Sequence, residues 1–181
     1  RVDGFIGVFF HLSARDLFPL LEQNMYVVRF EASFRKAGPR PIDNLYVDNI
    51  AAAKDMVNYL IRKGHNDIGM LISSDGPAQC RALGYKAALK QHGLLLNSEW
   101  IQEGDFNEIG GYQTMCDLLA QKECPSAIFA ANDLMAMGAM AAIRDAGLSV
   151  PNDIAVVGFD DIPSAKLVFP ALTTIDQPQR Q

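Results

Sequence analysis

The sequence predicts an α/β protein with doubly wound parallel sheets, and three observations carry that expectation. From residue 48 onward one phrase repeats: a helix-period apolar stripe, a glycine stop, then a short β-branched or otherwise apolar run. Expected strand starts at residues 67, 100, 126 and 154 are spaced 33, 26 and 28 apart, which suits βα units and not hairpins. The chain has 181 residues, 49% of them hydrophobic and 20% charged, enough apolar content for a sizeable core.

Taken in order, the first 47 residues hold a strand over 4–10, a helix over 14–23 and a strand over 26–30. The breaker cluster over 38–44, with Pro39 and Pro41, and the extended stretch over 45–47 read as a boundary between lobes. The next helix is expected over 50–63, where Ile50, Ala53, Val57, Leu60 and Ile61 share a face. Asp48 or Asn49 caps its start and Gly64 ends it. A strand over 67–72 leads to a helix over 78–91 that stops at Gly93. Then come a strand over 100–103, a helix over 108–121, a strand over 126–131, a helix over 134–146 and a strand over 154–159. A Pro-bounded extended segment over 169–178 can cross back to the first lobe. The expected division is residues 1–42 as part of a first lobe, 43–171 as a second lobe and 172–181 as a crossover, with a cleft between the lobes. Because the chain opens on Arg1-Val2-Asp3-Gly4-Phe5-Ile6, a strand already under way, it reads as a fragment.

Composition excludes several function classes. With 16 basic against 21 acidic residues and a formal charge of −5, there is no cationic stripe to hold nucleic acid. Cys80, Cys116 and Cys124 are too widely spaced for a CxxC ligand pair and read as three buried or half-buried thiols in a reducing cytosol. No metal or cofactor is expected. The longest apolar run, over 134–143, is about half the ~20 residues a membrane span needs. No GxSxG, HExxH, Walker or GxGxxG motif occurs, and no nucleophile stands beside a base, so an enzyme is not expected.

Ligands of open parallel sheets sit outside the carboxyl ends of the strands. The residues there are Arg29 to Glu31, the loop over 73–81, Gly104-Asp105-Phe106, Asn132-Asp133 and Asp160-Asp161. Each also has a plain structural reading. Asn132 and Asp133 precede an apolar helix, so Asp133 can cap it while Asn132 faces a ligand. Arg81, near a helix start, is either a solvated surface cation or a ligand contact. Phe106 is either core or a stacking platform. Asp160 and Asp161, as neighbours in an extended segment, point to opposite sides, so one of them can face the cleft.

Six phrases in this order resemble one family: residues 49–65, Gly104-Asp105-Phe106, residues 130–139, residues 150–155, Val156-Val157-Gly158-Phe159-Asp160-Asp161, and Leu172-Thr173-Thr174-Ile175-Asp176-Gln177. They are similar to the effector-binding domain of the LacI/GalR bacterial transcription regulators. The resemblance implies a two-lobed, type I periplasmic-binding-protein-like fold, truncated here in its N-terminal lobe. It further implies a cytoplasmic homodimer in which a small metabolite in the cleft changes affinity for operator DNA, which is read through a helix-turn-helix domain that these residues lack. Effector contacts carry over to Arg81, Phe106, Asn132, Asp160 and Gln177, and to Glu31 where the family often has Asp. Carboxylate, amide and guanidinium groups pair with vicinal hydroxyls, and an aromatic face covers the C–H side of a sugar ring. A lining with two carboxylates and one guanidinium does not suit a phosphorylated metabolite, and a single clear aromatic does not suit a purine. A neutral saccharide is therefore the expected effector. The alternative is a periplasmic sugar-binding protein of an ABC-type transporter, which shares the Asn132-Asp133 and Gly158-Phe159-Asp160 phrases.

Overall fold

A computed structural model describes residues 2–8, 12–13, 15–31, 42–74 and 76–177, with only the backbone at Glu31. Strand β1 (Gly4–Val8), helix α1 (Phe18–Glu22) and strands β2 (Tyr26–Glu31) and β3 (Ile42–Tyr46) form one unit, with a parallel sheet ordered β1-β2-β3. Helix α1 is shorter than the expected 14–23, with Leu17 ahead of it turned into the core. Phe9 and Phe10, at the end of the expected first strand, lie outside the described residues.

Pairing moves the expected boundary. Val27 stands opposite Ile42 and Glu31 opposite Tyr46, so residues 43–46, expected in the second lobe, belong to the first sheet. The change of sheet falls just before helix α2 (Asn49–Arg62). The breaker cluster misled because turn chemistry is local, whereas membership of a sheet depends on a partner strand about fifteen residues away.

The second unit alternates strictly: α2, β4 (Ile68–Ile72), α3 (Ala78–Gln91), β5 (Ile101–Glu103), α4 (Glu108–Leu119), β6 (Ala127–Ala130), α5 (Asp133–Asp145) and β7 (Ala155–Val157). All pairings are parallel, in the order β5-β4-β6-β7. Every residue of β4, β6 and β7 is buried, so these strands are continuous apolar runs without alternation, as a sheet covered on both faces demands. Helices α2 and α3 pack together, as do α4 and α5. The right-handed crossover rule puts α3 opposite α4 and α5, because the chain steps one way from β4 to β5 and the other way afterwards. Phe129, Phe159 and Tyr85 are fully buried between these layers, each such side chain contributing about 1.5–3 kcal/mol.

Helix α2 is capped by Asp48, whose carboxylate accepts from the Ala51 amide at 3.0 Å. Gly64, Gly93 and Gly147 follow α2, α3 and α5 with φ of 99°, 66° and 78°, the left-handed region that ends helices at little steric cost. Close contact between α4 and α5 depends on Gly138, where a Cβ would meet the carbonyl oxygen of Glu108 and lie 2.7 Å from the Tyr112 nitrogen.

After β7 the chain does not leave the sheet at once. Gly158 and Asp160 donate their amides to the carbonyls of Thr173 and Ile175, each at 2.9 Å. Residues 173–176 thus lie parallel to the end of β7, and within the described residues the expected crossover is first an edge addition to the second sheet. The cysteines also differ from expectation, since Cys116 and Cys124 are exposed and only Cys80 is half-buried.

Candidate functional site

The order β5-β4-β6-β7 sets where a ligand site can form. The chain leaves β4 toward β5 and leaves β6 toward β7, so the connections diverge and open a crevice beyond the carboxyl ends of β4 and β6. Arg81, Ala131 and Asn132 sit at this point.

Arg81 is 3% exposed, which rules out the solvated reading. Its Nε donates to Asn49 Oδ1 at 2.9 Å, its Nη1 donates to the Ala131 carbonyl, and its Nη2 lies 3.2 Å from Asp160 Oδ1. The guanidinium carbon is 3.6 Å from the centre of the Phe159 ring, a cation–π arrangement. Arg81 therefore ties the start of α2, the end of β6 and the end of β7 to one another. Burial pulls its pKa down while Asp160 and Asp133 oppose that shift, and an arginine so placed keeps its proton.

Asp160 is a quarter exposed, and its Oδ1 accepts from both Arg81 and Gln177 Nε2. Burial pushes its carboxyl above the usual carboxylate range, and Arg81 and Gln177 hold back the rise. The expectation of an extended Asp160-Asp161 pair is corrected: both have positive φ, 124° and 51°, so the backbone turns away from extended geometry at Asp160, where it still bridges Asp176. They nonetheless face different partners, because Asp161 accepts from Lys166 Nζ at 3.1 Å.

The assignment at α5 is reversed. Asn132, not Asp133, is the cap, its Oδ1 accepting from the Met135 amide at 2.9 Å. Its Nδ2 donates to the Phe106 carbonyl at 3.3 Å, so its amide is engaged at both ends. Asp133 is fully buried, and its carboxylate accepts from the Ile162 amide at 2.9 Å and from the Thr174 hydroxyl. A sequence signal for a cap does not distinguish adjacent Asn and Asp, because either side chain can reach the free amides of the first turn.

Phe106, between β5 and α4, is half-buried against the core, which joins both of its expected readings. Arg81, Asp160 and Gln177 thus form one hydrogen-bonded cluster, linked through Ala131 to its chain neighbour Asn132 and from there to Phe106. Glu31 ends β2 in the other sheet, and its side chain lies outside the described residues. The sequence reading gave Asn49 and Asp133 only the part of helix caps and missed Thr174, although each falls in one of the family phrases. A concavity of about 480 Å³ lined by Ser74, Glu103, Gly104, Asp105, Thr114 and Asp117 opens at the ends of β4 and β5 but shares no residue with the cluster. Among the described residues no group of His, Cys, Asp and Glu is arranged to hold a metal, and no helix is long and apolar enough to cross a membrane.

Comparison with known proteins agrees with this architecture. Residues 57–181 match the family model described as "Periplasmic binding protein-like domain". The "HTH-type transcriptional repressor PurR" of Pectobacterium atrosepticum is 42% identical over 142 residues, which is 77% of this chain and 40% of that protein. The chain thus spans about two fifths of the length of such curated relatives. Among solved structures, a regulatory protein of the LacI family from Chloroflexus aggregans superposes with a TM-score of 0.86 and 32% identity, over 98% of this chain and 63% of that one. The transcriptional regulator CelR in complex with cellobiose superposes with a TM-score of 0.86 and 30% identity, over 98% of this chain and 55% of that one. Parallel sheets in this order, the Arg81–Asp160–Gln177 cluster at their switch point and these relatives converge: the chain belongs to the LacI/GalR family of bacterial transcription regulators, as effector-binding domain.

Proposed function

We propose that this domain binds a neutral saccharide at the carboxyl edge of its second sheet and thereby modulates operator binding by an intact, cytoplasmic, homodimeric regulator. The observation that carries the reading is the presentation of Asp160. Arg81 and Gln177 both donate to Oδ1, which orients the carboxylate and leaves Oδ2 for a ligand hydroxyl. In this reading Gln177 Oε1 and the Phe106 ring add a polar and an apolar contact, Glu31 contributes from the first sheet, and Asn132 holds Phe106 in place. Arg81 serves chiefly by holding Asp160, since its guanidinium already bonds three protein groups.

Charge supports a neutral ligand. The Arg81 cation is matched by Asp160 and the Lys166 cation by Asp161, so an anionic metabolite would find no uncommitted cation in this cluster to offset its desolvation. The CelR neighbour was solved with cellobiose. Operator contact is assigned to a helix-turn-helix segment outside these residues, as the relatives' printed name indicates for them. The transport-receptor alternative is less supported, because the curated relative reported above is named a transcriptional repressor.

A second copy of the chain is the partner we assign to the concavity lined by Met137, Met140, Leu148, Val150, Val168 and Phe169 together with Arg144 and Ser149, with Phe169 99% exposed at its edge. A two-fold pair matches a two-fold operator and buries the same face on both protomers. Sedimentation of the intact protein should show a dimer that Phe169→Asp dissociates, and a parent that stays monomeric at micromolar concentration overturns this assignment.

The effector is tested by thermal shift on the intact protein with cellobiose, ribose, sugar phosphates, inorganic phosphate and purine bases. At a hundredfold excess over its dissociation constant, a ligand adds about 2.7 kcal/mol. For a domain of this size that is roughly 5–10 °C in Tm. A response confined to phosphates or purines would refute the saccharide reading.

A further inference from the structure

We propose that Asp133 is a positioning residue whose buried carboxylate locks the Asp160-bearing turn and the strand-like segment 173–176 to the first turn of α5. The inference deepens the effector reading, resting on Asp160 as the contact, and concerns how that contact is held.

Four observations converge. Asp133 is fully buried, yet both of its carboxylate oxygens are engaged, Oδ2 by the Ile162 amide at 2.9 Å and Oδ1 by the Thr174 hydroxyl. Its own amide donates to the Phe159 carbonyl at 2.9 Å, so one residue grips the chain on both sides of Asp160. Gly158 makes room for this grip, because a Cβ there would collide with Asp133 Oδ1. Finally, Asp160 and Asp161 are consecutive non-glycine residues with φ of 124° and 51°. Such conformations persist only where surrounding bonds over-determine them.

The helix N-terminus favours the buried anion, since the first-turn amides of α5 and its dipole both stabilise negative charge there. Asp133 does not touch the proposed ligand position. It acts through the turn: with Ile162 and Thr174 released, residues 160 and 161 relax toward ordinary backbone angles. That motion carries Asp160 away from Arg81 and Gln177. Thr174 is the joint of this clamp, because its hydroxyl donates to Asp133 while its oxygen lies 3.4 Å from the Asp161 amide.

Thr174→Val tests the clamp at unchanged charge, since it keeps the side-chain shape and removes only the hydroxyl. On the intact protein, amide exchange at Ile162 should speed up about tenfold. The NMR titration midpoint of Asp160 should leave its parental value, because the released turn changes both the burial that raises it and the contacts with Arg81 and Gln177 that lower it. Arg81 and Asp133, the charged groups acting on Asp160, keep their charges in this variant, so a shifted midpoint reports the changed geometry. Thr174→Ser should keep both readouts at parental values. Asp133→Asn should show the same gain in Ile162 exchange, its effect on the Asp160 midpoint also containing the loss of a neighbouring charge. Cellobiose affinity, measured by calorimetry, should fall about tenfold in Thr174→Val. If Thr174→Val lowers Tm but leaves Ile162 exchange and the Asp160 midpoint unchanged, Asp133 is a packing residue and the proposal is overturned. A parent that ignores cellobiose counts against the effector reading alone, and the exchange and titration results still decide the clamp.

Discussion

Replacing Arg81 with methionine separates a group that holds the protein together from one that waits for ligand. Methionine keeps an unbranched apolar side chain beside Phe159 and removes the guanidinium stacked on its ring. One acceptor is then stranded away from water, the carbonyl of Ala131, on a residue fully buried. A stranded buried acceptor costs about 1–3 kcal/mol. Asp160 loses its countercharge but keeps Gln177 and some water, since it is a quarter exposed, and adds less than a fully buried ion would. Against these stands the relief of no longer burying a guanidinium, whose desolvation is the main influence on its pKa. A net loss of about 2 kcal/mol follows, or roughly 4–8 °C in Tm at this size. Urea unfolding at pH 7 measures it as a lower midpoint with an unchanged slope. A loss below about 1 kcal/mol together with abolished effector binding would refute the reasoning, because the guanidinium would then be held for the ligand and not for the fold.

Three further outcomes are expected. Gly138→Ala should destabilise by about 1–3 kcal/mol or more in the same urea assay, because the added Cβ meets backbone atoms of Glu108 and Tyr112 that can yield only if α4 and α5 separate. The two aspartates Asp153 and Asp160 should give opposite pH dependences. Hydrogen bonds from the Ser149 hydroxyl and amide hold Asp153 below 3.8, so its contribution is present above 3.8 and lost as pH falls through the folded value. Burial raises Asp160, so its contribution is present below 3.8 and lost as pH rises through the folded value. NMR titration of both carboxyls, with Asp153→Asn flattening the acid limb and Asp160→Asn the higher one, checks the signs. The 181-residue chain by itself should show no sequence-specific DNA binding, given its charge of −5, and a nanomolar gel shift would contradict that.

Much of the second lobe was legible in the sequence because its signals are local. The helix over residues 78–91 has the observed bounds of α3, and the glycines after α2, α3 and α5 mark stops that depend only on the chain's own backbone freedom. Burial of every residue in β4, β6 and β7 follows from runs without alternation, which imply a sheet covered on both faces. The family phrases likewise singled out Asp160 and Gln177, and the resemblance carried over Arg81; the three form one cluster.

Relations between distant residues were decided only by the tertiary structure. Nothing in residues 42–46 announces that they pair with β2, and nothing in residues 173–176 announces that they line β7. Local propensity treats Asn132 and Asp133 as equivalent caps, yet the Thr174 hydroxyl, 41 positions away, and the Ile162 amide, 29 away, select Asp133 for the buried place. Arg81 reads equally as a surface cation or a ligand contact until Ala131, 50 positions on, and Asn49, 32 back, accept its protons. A buried polar group needs a partner at hydrogen-bond distance, and which groups reach that distance is settled by how the strands order themselves, a choice that no window of the sequence contains.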